Sequence, residues 1–237
     1  RQCTAPLLLL YQHHMEKTEV ANERHLWALL RANILNNDTK AVLIQYLQLR
    51  TGANTFSVEY CYGKDAISGI SGLYAVNGVG LQMLRKDIRN YLSSEFYHDV
   101  DIQNCLPQIF FYLFDKCKIS CLHLDTYIRE CPRILEEQSL DKKQVISMIF
   151  DEKPEITDKF FKDIHDKVHN NLIPKLKTND CYLQIWNNTK VDTKNRNRCF
   201  LARVVFDIEN DILLTMNQFF EQKKWSLAVL VFEGVMI

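Results

Sequence analysis

The acidic residues best placed to do chemistry sit at the ends of two apolar runs. EFYHDVDIQNCLPQIF (residues 95–110) sets Asp99 and Asp101 two apart at the end of a strand-like pattern, and SLAVLVFEGVMI (226–237) sets Glu233 at the turn of an apolar hairpin. Residues two apart on a strand face the same side. Carboxylates at the end of a buried strand are costly unless they meet a metal, a base or a hydrogen-bond donor. Two-metal phosphoryl transfer needs carboxylates from separate elements, converging on ions about 3.5–4 Å apart. Mg²⁺ keeps most of its waters and asks for only one or two carboxylates beside phosphate oxygens. Asp101 and Glu233 meet that requirement if one small sheet carries both, with Asp99 as a neighbour. The plainer alternative is a capped strand-to-helix turn and an exposed hairpin tip.

Other residue groups offer weaker chemistry. The helix LQMLRKDIRNYLSS carries Arg85, Lys86 and Arg89, and the segment from Lys175 to Arg198 is basic, with Lys194, Arg196 and Arg198. Either group is a solvated face or a phosphate contact. Tyr182 and Trp186 in the second are stacking candidates for bases, whereas Phe110, Phe111, Leu113 and Phe114 read as core. His165 and His169 stand at i and i+4, the spacing of a metal pair, but with no third ligand in range a surface pair is the better reading. Cys117, Cys121 and His123 form C-x3-C-x-H, a poor match to the C-x2-C pairs that zinc prefers. The eight cysteines lie scattered among apolar neighbours, and reduced thiols are expected. The glycine-rich run 63–80 holds neither G-x-x-x-x-G-K-[ST] nor G-x-G-x-x-G, so it reads as a hairpin rather than a phosphate loop.

Composition narrows the class. The chain has 237 residues, 47% of them hydrophobic, enough for one large core or somewhat more. Lys plus Arg and Asp plus Glu are both 29, so net charge neither demands nor excludes nucleic acid. No apolar run reaches the roughly 18 residues of a membrane span, and no secretory signal is legible, so an intracellular place without membrane is expected. The first residue is Arg1 and the last, Ile237, lies in an apolar run, which reads as a fragment of a longer protein.

Periodicity supplies the elements that must position these groups. Residues 1–52 read as helices only, with Asn22 as a cap, Gly52 as a helix stop and a short helix over PLLLLYQHHMEK. FSVEYCY alternates as a strand. EFYHDVDI is a second strand, and Asn104 and Pro107 open the helix after it. Helices follow at CLHLDTYIREC, PRILEEQ and DKKQVISMIF, and EITDKFFKDIHDKVHNNLI is stopped near Pro174. A long helix then runs to Trp225, before the terminal hairpin. Helices and strands are segregated rather than alternating, which predicts an α+β fold with a small antiparallel sheet among a majority of helices. The expected division is an N-terminal helical segment, 1–52, and a second region, 53–237.

One resemblance bears on this pattern. LYAVNGVGLQMLRKDIRNYLSSEFYHDVDIQNCLPQIF resembles the palm of family A-like DNA polymerases of giant viruses and related mobile elements: a Tyr-containing turn, a basic helix, then a strand ending D-I-D-x-x-N-x-x-P. FDIENDILLTMNQFFEQKKWSLAVLVFEGVMI is similar to their last section, and PRILEEQSLDKKQVISMIF looks like their fingers helix. The likeness covers about Leu73 to Ile237. It implies a template-directed nucleotidyltransferase using two Mg²⁺ or Mn²⁺ ions, with primer-template and nucleoside triphosphates as partners and helicase or primase domains nearby. It also implies a host cytoplasm, a host nucleus or the virion as the place of work. On these positions Asp101 would bind both ions, Glu233 would stand for the second acid, and Asp99 would be a neighbour or backup. Asn104 would orient the turn and the incoming sugar, and Lys142 or Lys143 would contact triphosphate. Arg85, Lys86 and Arg89 would hold nucleic-acid phosphates, and Glu209 would support the site. The hairpin reads F-E-G where those relatives have F-D-G, and C-L-P follows Asn104 where C-H-P is common. A polymerase-like module that binds without catalysing, and a two-metal nuclease, are the alternatives.

Overall fold

The computed structural model describes residues 15–32, 34–62, 73–152, 154–189, 195–225, 229–231 and 234–237. The fold is α+β, as expected. In chain order the elements are β1 (Met15–Val20), α1 (Glu23–Arg31), α2 (Asn37–Gln48), β2 (Arg50–Gly52), β3 (Thr55–Tyr62), β4 (Leu73–Ala75), α3 (Lys86–Ser93) and β5 (Asp99–Asp101). They continue with α4 (Cys105–Lys116), α5 (Leu122–Gln138), α6 (Lys142–Phe150), α7 (Lys159–Lys167), α8 (Ile173–Lys177), α9 (Asp180–Asn188), α10 (Arg196–Gln222), β6 (Val229–Val231) and β7 (Gly234–Met236). Two compact units result. The sheet-bearing unit takes the described residues up to Ile102 and from Glu209 onward, and the helical unit takes Gln103–Ile208. The division thus falls between Ile102 and Gln103 and inside α10, not near residue 52.

The sheet-bearing unit holds two antiparallel sheets. One has the order β1-β3-β2, with β4 also on β3; the other has the order β5-β7-β6. In β3 the alternation of TFSVEYCY buries Phe56, Val58 and Tyr60 completely. The N-terminal reading needs correction: Met15–Val20 is a strand, paired residue by residue with Thr55–Tyr60. Met, Glu and Lys favour a helix locally, but that preference is small beside a full strand pairing on a buried neighbour. Asn22 caps α1 by accepting from the His25 amide, as the sequence suggests. Gly52 is in β2, since α2 has already ended at Gln48.

A buried carboxylate does exist here, and it is Glu19. Its side chain accepts from the Tyr60 hydroxyl at 2.7 Å and from the Leu81 amide at 2.9 Å, with the Tyr46 hydroxyl beside it. Burial pushes its pKa above the ordinary carboxylate range, and those donors pull the other way. The strand pairing thereby fastens the turn at 76–81 to the sheet. Gly80 approaches so closely that a Cβ there would stand 3.1 Å from Val58 and 3.3 Å from the Glu19 carboxylate.

In the helical unit the core is built from Phe110, Leu113, Phe114, Tyr127, Phe161 and Leu176, all buried. Phe111, assigned to the core from sequence, is 41% exposed because it lies off the buried face of α4. α5 is one helix through Pro132, kinked at Glu130, rather than two. Pro174 does not stop the preceding helix. A π-helical turn, Val168–Leu172, carries α7 into α8, with the Ile173 amide bonded back to Val168. Register shifts by one there, and proline occupies the first turn of α8, where its missing N–H costs little.

His165 and His169 are not a surface pair. Their rings stack at 4.2 Å, and their Nε2 atoms lie 2.9 Å and 3.0 Å from the Asp151 and Ile149 carbonyls at the end of α6. Six described cysteines are free thiols, but Cys181 is in a disulfide, contrary to the expectation of reduced thiols throughout.

Candidate active site

β5 is three residues long and lies beside the terminal hairpin. Its Cα partners on β7 are Asp99 with Met236, Val100 with Val235 and Asp101 with Gly234. His98 and Ile237 extend the ladder with two further backbone hydrogen bonds. β7 also pairs with β6, so the terminal residues form the expected antiparallel hairpin and its second strand is the centre of the sheet. β7 is central because all three of its residues, Gly-Val-Met, are buried, whereas β5 alternates acid and valine and belongs at an edge.

Asp99 and Asp101 are both exposed, so neither is the buried carboxylate expected at a strand end. The Asp101 side chain is 57% exposed, with the Lys86 ammonium 3.6 Å from its Oδ2. Gly234 closes the other side. A Cβ on Gly234 would lie 2.4 Å from the Val100 carbonyl oxygen and 2.7 Å from Asp101 Oδ1, so only glycine lets the hairpin reach this depth. Glu233 precedes Gly234 and lies outside the described residues.

The three cations of the basic helix have separated roles. Arg85 is exposed and grips Asp87 with two hydrogen bonds, at 3.1 Å and 2.7 Å, which hold that carboxyl below its usual pKa. Lys86 faces Asp101. Arg89 is only 7% exposed and donates to the Leu84 carbonyl at 3.5 Å, so the expected phosphate contact from Arg89 is corrected to a packing role.

The remaining predicted residues belong to the helical unit or to the long helix. Asn104 does not cap α4 with its side chain; it adopts a left-handed backbone, φ 53°, and its Nδ2 donates to the Ile128 carbonyl at 3.2 Å. Lys142 and Lys143 are exposed in the first turn of α6, held by a capping box between Asp141 and Gln144. Arg198 is exposed, Lys194 lies outside the described residues, and Glu209 is half-buried on α10. Arg196 lies over the Trp186 ring, 3.7 Å from its centroid, and Lys177 lies over the same ring at 4.1 Å. Trp186 is therefore not an open platform for bases. Sequence reading passed over Lys177, because nothing local links residues nine apart on two helices.

Comparison with known proteins adds a distant likeness. The chain is similar to a protein named "Putative helicase V13", of Sputnik virophage. The two are 25% identical over 256 residues, covering 94% of this chain and 32% of that protein. The chain thus spans about a third of the length of this relative. No family model matches, and no solved structure matches. No helix among the described residues is long and apolar enough to cross a membrane.

The fit of a divalent ion rests on the donor set. Asp101 offers exposed carboxylate oxygens, the hard ligand that Mg²⁺ and Mn²⁺ take. Among the described residues no three His, Cys, Asp or Glu side chains converge. A second acid for the pair of ions would be Glu233.

Proposed function

We propose that the chain is the palm-bearing part of a viral, metal-dependent nucleotidyltransferase that extends a nucleic-acid primer on a template. One observation carries this reading: the register that sets Asp101 against Gly234, next to Glu233, in a three-stranded antiparallel sheet. It joins the two acidic segments, more than 130 positions apart in sequence. Asp101 and Glu233 would hold two Mg²⁺ or Mn²⁺ ions, which supply positive charge to the attacking 3′-hydroxyl and the α-phosphate. Lys86 pairs with Asp101, its ammonium 3.6 Å from Oδ2. The exposed Lys142 and Lys143 are the candidates for contact with triphosphate.

The name of the virophage relative lends association with nucleic acid. It does not favour a motor in this segment, because the sequence has no G-x-x-x-x-G-K-[ST] loop for nucleotide phosphates.

A primer-extension assay with a labelled primer-template, the four nucleoside triphosphates and Mg²⁺ or Mn²⁺ tests the proposal. Lengthening of the primer that is lost in Asp101→Asn supports it. Shortening of the primer would support a nuclease instead. Binding with no change in primer length would leave the non-catalytic module as the reading.

A further inference from the structure

We propose that Lys177 and Arg196, held over the single indole of Trp186, form a binding site for the phosphodiester backbone of a nucleic acid on the helical unit. It rests on the nucleic-acid association proposed above but not on its chemistry. Arg196 stacks on the ring and also donates from Nη2 to the Trp186 carbonyl at 3.2 Å, so its guanidinium is fixed from two directions. Lys177 shares the ring at 4.1 Å. The edge of Phe200, 5.4 Å away between centroids, braces the indole.

Two like charges over one ring repel each other. Burial and the Arg196 charge both lower the pKa of the Lys177 ammonium, and the Glu152 carboxylate opposes them. Neither Lys177 nor Arg196 is within 4.0 Å of a carboxylate of any described residue. Glu152 is the nearby acid, and it accepts from the Asn197 amide at 3.1 Å, capping the first turn of α10. Arg203, two turns along, donates to the Asn188 carbonyl at 3.2 Å and to Thr189 Oγ1 at 3.3 Å. Arg198 adds an exposed charge. These are four cations, Lys177, Arg196, Arg198 and Arg203, on α8 and the first turns of α10. The indole serves as a holder that fixes two of them in advance, reducing the side-chain ordering that binding must otherwise impose. Contacts of this kind position a backbone and carry no base preference.

The test is fluorescence anisotropy with a labelled single strand of about 20 nucleotides, at salt between about 50 and 200 mM. Loss of two phosphate contacts on a single strand should flatten the slope of log affinity against log salt by about 1.4 in Lys177→Ala/Arg196→Ala, and weaken low-salt binding at least about tenfold. Lys177→Arg should retain the wild-type slope, and Asp101→Asn should bind normally while losing extension, which separates this site from the catalytic proposal. A double variant with wild-type thermal unfolding, affinity and slope would overturn the inference. So would displacement of the oligonucleotide by polyglutamate at equal charge. If the double variant does not fold, Lys177→Gln is read in the same way, with an expected flattening of about 0.7.

Discussion

Gly234 stands across the ladder from Asp101, and a Cβ on it would be 2.7 Å from the Asp101 carboxylate. The hairpin and the acidic strand are therefore packed backbone to backbone. Gly234→Ala must push the strands apart, because the Val100 carbonyl at 2.4 Å cannot rotate away as a side chain would. Overpacking of this kind costs about 1–3 kcal/mol. Urea denaturation should show that loss, with primer extension reduced alongside it; a variant as stable as the wild type would disprove the close approach.

Asp101 and Asp99 share one face of β5 but should differ in consequence. The Lys86–Asp101 pair is exposed, and such pairs contribute about 0–1 kcal/mol. Asp101→Asn should leave the unfolding midpoint almost unchanged and lower extension by more than about 100-fold, since even groups that merely support metal ligands cost 10–100-fold. Asp99→Asn should retain most activity. Equal loss in the two variants would remove the preference for Asp101.

Arg85 and Arg89 lie one turn apart, and their substitution should read oppositely. Arg89→Ala empties a buried site and should destabilise by about 1–3 kcal/mol with an unaltered salt slope in oligonucleotide binding. Arg85→Ala, at an exposed position, should change stability by less than about 0.5 kcal/mol. Calorimetry paired with anisotropy reads both; a shallower salt slope in Arg89→Ala would return it to the phosphate contacts.

The pH dependence of the helical unit should carry the mark of His169. Burial depresses its pKa from the ordinary 6.5, His165 adds to that, and the Ile149 carbonyl, Glu152 and Asp151 oppose it. The unfolded chain therefore takes up the proton first, so the unfolded state binds more protons and stability rises with pH. The contribution is complete above 6.5 and is lost as pH falls through the depressed value. Protection factors of the α6 and α7 amides should fall on acidification, and His169→Gln should flatten that response. A response equally steep in the variant would rule His169 out as its source.

Local pattern made much of this chain legible. The alternation of FSVEYCY, the Asn22 cap, the long C-terminal helix and the hairpin over SLAVLVFEGVMI all follow from contacts within a few residues. Those interactions are written in adjacent letters. Pro174 reads as a stop and Pro132 as the start of a new helix, but a π turn and a kink absorb them, and neither device has a strong sequence signature.

What the sequence by itself determined is the set of elements and the candidate acids: a strand ending in Asp99 and Asp101, and a hairpin bearing Glu233. Tertiary structure alone decided their partners. It paired Met15–Val20 with β3 against a helical propensity, buried Glu19 and Arg89, exposed Asp101, and set Gly234 beside it. The reason is physical. Propensity and capping act over a few residues and are worth tenths to about one kilocalorie each, whereas which strand lies against which, and which charge leaves water, is settled by burial between segments far apart in the chain.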